Sequence, residues 1–158
     1  MATRSLCLRS HEVRGLLDGS VTALRRVVKP QPPALVRKLA CNERGQLVGT
    51  WEDDGAMFVR PGLGPFGAPG DVLVGKETWA AWWENGRPER VLGYRCDCPV
   101  DGEFADDPWW EHCDWIPPQR MPRWAARLFL EVLEVRVERD EEGVWTWVAR
   151  VKRTERPE

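Results

Sequence analysis

The chain carries few side chains suited to breaking bonds and many suited to gripping an anion. Histidine occurs only at His11 and His112, so histidine-based acid–base or nucleophilic catalysis has little to work with. No nucleophile elbow, P-loop or dinucleotide fingerprint is present. Three stretches hold the candidates. In Thr22-Ala23-Leu24-Arg25-Arg26 two adjacent arginines sit in a strand-like context. Neighbouring strand residues point to opposite faces, so at least one guanidinium reaches a concave or interior side. There it suits planar, bidentate recognition of phosphate or carboxylate. The plain alternative is a surface salt bridge. In Lys76-Glu77-Thr78-Trp79 an apolar strand ends in a charged, aromatic tip. Lys76 would meet phosphate. Glu77, alone or with Lys76 or Asp71, would act as an acid/base, or it would hold a base edge as Thr22 would. Trp79 would offer a stacking face. Alternatively Glu77 pairs with Arg25 or Arg26, and Trp79 belongs to the core. Finally, Cys96-x-Cys98 precedes His112-Cys113. These four are soft ligands for a Cys3His zinc site, but the one-residue cysteine spacing is shorter than structural sites use. Free thiols on a loop are the competing reading.

The elements that must position these groups are mostly short strands. Residues 10–18 read as a helix, with Ser10 as cap, Val13, Leu16 and Leu17 on one face and Gly19 as the stop. Residues 20–28 read as a strand ended by Pro30, Pro32 and Pro33. Residues 34–40 read as a second, weaker helix. Residues 46–50 and 56–60 suggest a hairpin around Asp53-Asp54-Gly55. The Gly- and Pro-rich stretch 61–70 is a loop feeding a buried strand at 71–78. Another strand is expected at 91–96. Residues 97–118 form an acidic, irregular loop holding Trp109, Trp110 and Trp115. Around Pro122 a short helix is expected to carry Trp124 into the core. Residues 126–138 form the longest strand, and their apolar phase slips by one at Leu133, the signature of a β-bulge. Asp140–Gly143 is a turn before a last strand at 144–152. This pattern indicates one small, mostly β, α+β domain over residues 1–158, in the manner of a barrel.

The 158 residues are 42% hydrophobic and 30% charged, enough to bury a core, and no apolar run is long enough to span a membrane. Five cysteines and no visible export signal point to a reducing cytoplasm. The net charge of −2 hides a strong asymmetry. Residues 1–40 hold eight basic and two acidic groups, whereas residues 41–118 hold six basic and fifteen acidic. Either the two regions attract each other in the fold, or a cationic face is left to meet phosphate. Ten tryptophans stand against one tyrosine. Most are expected to be core or loop anchors, with two or three open for stacking.

Read in order, several motifs resemble those of phage and prophage ASCH-domain proteins of the PUA-like superfamily. Gly19, Thr22, Arg25, Arg26 and Val28 to Pro32 match a helix-following motif. Gly70, Asp71, Leu73, Glu77, Thr78 and Trp79 match a strand motif. Trp115, Pro117, Met121 to Ala125 and Arg127 match a third, and Leu130 to Arg139 a fourth, loosely. The resemblance implies a PUA-like β-barrel with a cleft for RNA, single-stranded nucleic acid or a modified nucleotide. Some relatives are amidohydrolases that use a lysine and a threonine of the first motif. Here those positions hold Val21 and Leu24. The implied function is therefore binding without that chemistry, through Thr22, Arg25, Arg26, Lys76, Glu77 and Trp79, with no cofactor. Two alternatives stand beside it. One is a phage-encoded inhibitor that binds a host protein through loop 97–118. The other is a hydrolase built on Glu77.

Overall fold

A computed structural model describes residues 1–34, 36–51, 56–98, 110 and 112–158. The tip of the expected hairpin at Asp53-Asp54-Gly55 and most of the 97–118 loop, Trp109 included, lie outside the described residues. Among the described residues, ten strands and one α-helix follow in the order β1 (Thr3–Cys7), α1 (Ser10–Asp18), β2 (Ala23–Val27), β3 (Val36–Cys41), β4 (Leu47–Trp51), β5 (Met57–Val59), β6 (Val72–Lys76), β7 (Trp79–Glu84), β8 (Arg87–Tyr94), β9 (Leu128–Arg139) and β10 (Trp145–Thr154). The fold is thus small, mostly β and α+β. The main sheet has five strands in the order β1-β6-β9-β10-β2, with β1 parallel to β6 and the rest antiparallel. Strands β3-β4-β5 form a second sheet, and β7-β8 form a hairpin. None of the three sheets closes on itself among the described residues, so the expected barrel is not formed there. No helix among them is long and apolar enough to cross a membrane.

Strand β6 is an inner strand, between β1 and β9, and both of its faces are apolar. Leu73 enters one core with Leu6, Leu24, Leu128, Leu130, Ala149 and Trp147, while Val72 and Val74 enter a second with Trp79, Met121, Ala125 and Phe129. Period-two alternation delivers successive residues to opposite faces, so a strand covered on both sides reads as an unbroken apolar run. Gly75 continues it because a Cβ there would lie 2.7 Å from Leu8 Cδ1. Helix α1 stands as expected and ends on Gly19 in the left-handed region, φ +84°. Its capping residue is Arg9 rather than Ser10, and the Glu12 carboxylate accepts the Arg9 N–H at 2.8 Å. The bulge is also present, since Val151 pairs with Val132 and Arg150 with Glu134, leaving Leu133 over.

Two expectations fail locally. Residues 34–40 do not make a helix; Val36–Cys41 is strand β3. Val36 and Leu39 are both buried, three apart as on a helix face, but the spacing comes from a register shift. Val36 pairs with Trp51 and Lys38 with Thr50, which skips Arg37. Trp124 is not in the core either. The helical turn Arg123–Ala125 buries Ala125 and leaves Trp124 45% exposed, its ring 5.8 Å edge-on from Trp79.

Candidate anion-binding cleft

A cleft of about 590 Å³ opens where the free edge of β2 meets the start of β10 and the glycine-proline loop. Its floor is Trp147 and Leu47; Trp147 pairs with Arg26 across the strands, and Thr146 with Val27. Five cationic side chains line it: Arg9, Arg25, Arg26, Lys29 and Arg60. No carboxylate belongs to the lining among the described residues.

Each wall has a local cause. The loop after β5 is not slack, because Phe66 is fully buried and the loop backbone is tied down. Gly64 N–H donates to Gly45 O at 3.0 Å, and Arg60 N–H to Leu47 O at 2.8 Å. Gly64 also lies flat against Trp147, since a Cβ there would sit 2.7 Å from Trp147 Cη2. On the β2 side, Gln31 acts as an extra ladder rung. Its Nε2 donates to Val28 O at 2.6 Å and to Trp145 O at 2.9 Å, and its Oε1 accepts the Trp145 N–H at 2.9 Å. That clamp fixes the Lys29–Pro30 turn, and Arg60 Nη1 donates to Pro30 O at 3.0 Å.

The five cations are not equivalent. Arg26 is spent on structure: its guanidinium spans both oxygens of Glu12, at 2.5 and 3.0 Å, and donates to Cys7 O at 2.9 Å. Burial alone would raise the Glu12 carboxyl, but the Arg26 and Arg9 hydrogen bonds and the Arg26 charge outweigh it. The net effect holds Glu12 below the ordinary carboxylate value. Arg25 is more loosely held, 3.0 Å from an exposed Glu138 that Arg136 also engages at 2.6 Å. Arg9, Lys29 and Arg60 have no carboxylate partner among the described residues.

The remaining predicted residues stand elsewhere. Thr22 is exposed beyond the start of β2 and uses its carbonyl to accept the Val151 N–H. Val21 and Leu24 are absorbed by packing: Leu24 is 1% exposed, and Val21 Cγ2 lies against Gly15. Lys76 closes β6 opposite Cys7 and does not line the cleft. Glu77 pairs with neither Arg25 nor Arg26. It is buried against Arg127, whose Nε and Nη2 reach its oxygens at 3.0 and 2.9 Å. The same guanidinium holds Asp97 at 2.6 Å and stacks 3.9 Å over the Tyr94 ring. Trp79 is a core residue of this second layer, 1% exposed, and offers no stacking face. Asp71 lies at the far end of β6, where it accepts from the Ala2 and Ala68 N–H groups and from Arg4 Nε.

The cysteines do not converge either. All five are free thiols, and no group of three or more metal-ligating side chains occurs among the described residues. Cys96 turns its thiol to Glu77 and Asp97, both at 3.3 Å, while Cys98 turns to Tyr94 O at 3.6 Å. Burial, reinforced by the Glu77 charge and hydrogen bond, pushes the Cys96 thiol up to about 12. A thiol so reluctant to ionise is a poor nucleophile.

Sequence reasoning found Arg25 and Arg26 but missed Arg9, Lys29, Arg60, Gln31 and Trp147. Lys29 and Gln31 lay inside a motif already singled out. The others come from remote segments, and only the fold brings them together. No known family, characterised protein or solved structure matches this chain.

Proposed function

We propose that this protein is a non-catalytic module that binds phosphate-bearing ligands, nucleotides or single-stranded nucleic acid, in the cleft beside β2. One observation carries the reading: five cationic residues border a concavity with no carboxylate in its lining among the described residues, and three of the five, Arg9, Lys29 and Arg60, have no acidic partner there. Unpaired guanidinium and ammonium groups facing a shared hollow repel one another, and a polyanion relieves that repulsion while gaining charge-assisted hydrogen bonds. Lys29 and Arg60 act as the phosphate contacts, with Arg9 and Arg25 beside them; Arg26 is a positioning residue that holds the β2 edge to α1. This redistributes the roles expected from the sequence. A module without the family's amidohydrolase activity is also supported by Val21 and Leu24, whose side chains pack inward. Hydrolysis through Glu77 is disfavoured because its carboxylate is occupied by Arg127 away from the cleft.

The test is binding of fluorescent single-stranded RNA and DNA across a salt series. Affinity falls steeply with salt, and Lys29→Gln/Arg60→Gln lowers both affinity and slope, by about one slope unit per lost contact. Salt-insensitive binding, or none at low ionic strength, would refute the proposal.

A further inference from the structure

A second depression, of about 410 Å³, lies at the start of α1. It is lined by Ser10, His11, Arg14 and Arg95. Arg9, which lines the cleft, and Ser10, which lines this depression, are consecutive residues. Their Cα atoms are about 3.8 Å apart across one peptide. The two linings are therefore joined through the Arg9–Ser10 peptide, which forms the lip between them. Again no carboxylate belongs to the lining among the described residues. Among the described residues, Asp97 is turned onto Arg127 at 2.6 and 2.9 Å, with Arg14 also within reach of its charge, and Glu12 is turned onto Arg26. The two arginines come from different elements and are held there. Arg14 Nε donates to Cys96 O at 3.0 Å, and the Arg95 guanidinium stands 5.5 Å over the Trp115 ring. Each keeps further N–H donors beyond these contacts.

Resting on the cleft reading above, we infer that the two hollows form one continuous track for a single nucleic-acid strand. It runs from Arg60 and Lys29 past Arg9 to Arg14 and Arg95, so the preferred ligand is a strand of several nucleotides rather than one nucleotide. A mononucleotide fills one hollow and leaves the other cations unanswered. A strand places successive phosphates along both, as backbone-tracking grooves do. The track holds little to distinguish bases. Trp147, covered by the Gly64 backbone, and His11 are the two rings in the linings among the described residues. The strand is therefore read through its phosphates, with little sequence preference.

The experiment measures anisotropy with the full chain against uridine 5′-monophosphate, as competitor, oligouridylates of two, four and eight nucleotides and an RNA duplex of eight base pairs, first at one salt concentration and then across a salt series. Affinity rises with length, by about tenfold or more from monomer to octamer, as phosphate contacts accumulate. Arg95→Gln weakens octamer binding several-fold and lowers its salt slope by about one, and its effect on the monomer is the smaller of the two. Arg95 also packs on Trp115, so Ser10→Glu provides a second variant. A carboxylate at the first residue of α1 favours the helix, yet places a repelling charge at the lip; it too weakens the octamer more than the monomer. A monomer bound as tightly as the octamer, octamer binding unmoved by both variants, or preference for a duplex of equal length would overturn the track while leaving the cleft reading intact. Failure of every probe to bind would bring down the cleft reading itself.

Discussion

Replacing Glu77 by glutamine tests whether this carboxylate is a structural ion or a reactive one. The substitution keeps the shape of the side chain and removes only its charge, so no cavity term enters. Glu77 is 3% exposed and receives two of the Arg127 donors, at 2.9 and 3.0 Å, and the Cys96 thiol at 3.3 Å. Removing one partner of a buried ion pair costs about 3–5 kcal/mol, because the other charge is left without compensation. Here the loss is partial. Arg127 keeps Asp97 and the Tyr94 ring, and a quarter of its side chain reaches solvent. The new amide also presents N–H groups to a guanidinium that can only donate. The expected cost is therefore about 2–3 kcal/mol, read by urea denaturation. For a domain of this length that lowers the melting temperature by roughly 5–10 °C. Asp97→Asn is the comparison, since Asp97 is half-exposed and shares the same arginine; it costs about 1 kcal/mol or less. Anion binding in the cleft stays unchanged in both variants. A Glu77→Gln loss smaller than that of Asp97→Asn, or cleft binding lost at full stability, would refute the assignment.

Three further outcomes follow from the packing. Gly64→Ala pushes the loop off Trp147, costs about 1–3 kcal/mol by overpacking and weakens anion binding; unchanged melting and binding would show that the contact is dispensable. Glu12 and Asp71 are both held below their ordinary values of 4.5 and 3.8, because hydrogen bonds and arginine charge outweigh burial. The stability they contribute is complete above those ordinary values and is lost as pH falls through the lower folded ones. Glu12→Gln/Asp71→Asn is then less stable than the parent at neutral pH but loses less on acidification, and parallel acid titrations would contradict this. With iodoacetamide at mildly alkaline pH, exposed Cys7 reacts first and Cys96 reacts only on unfolding; equal labelling rates would show that the thiol is not shielded.

Much of the scaffold was legible where local signals and tertiary demands agree. Helix α1 announces itself by its apolar stripe and Gly19, and the phase slip at Leu133 marks the bulge. Strand β3 misleads because the skipped Arg37 sets Val36 and Leu39 at a helical spacing, which only the partner strand can explain. The β7-β8 hairpin carries a signal that went unread. Asn85-Gly86, at φ +52° and +75°, is a two-residue turn of the kind that closes hairpins. The candidate site was half legible. Arg25 and Arg26 line the cleft, yet their strength as ligands depends on Glu138 and Glu12, far along the sequence or across the sheet. Glu77 and Trp79 look reactive as a motif, but Arg127 and the second core claim them.

The packing of Leu24 has an evolutionary corollary. It faces Ala149 across the strands deep in the main core, and Val21 is wedged against Gly15. A threonine restored at the first position would bring a hydroxyl into an apolar interior, and a lysine at the second would have to thread an ammonium out past the helix; both moves are penalised before any reactivity returns. The interior thus resists polar side chains at these two positions, whatever the surface of β2 comes to bind.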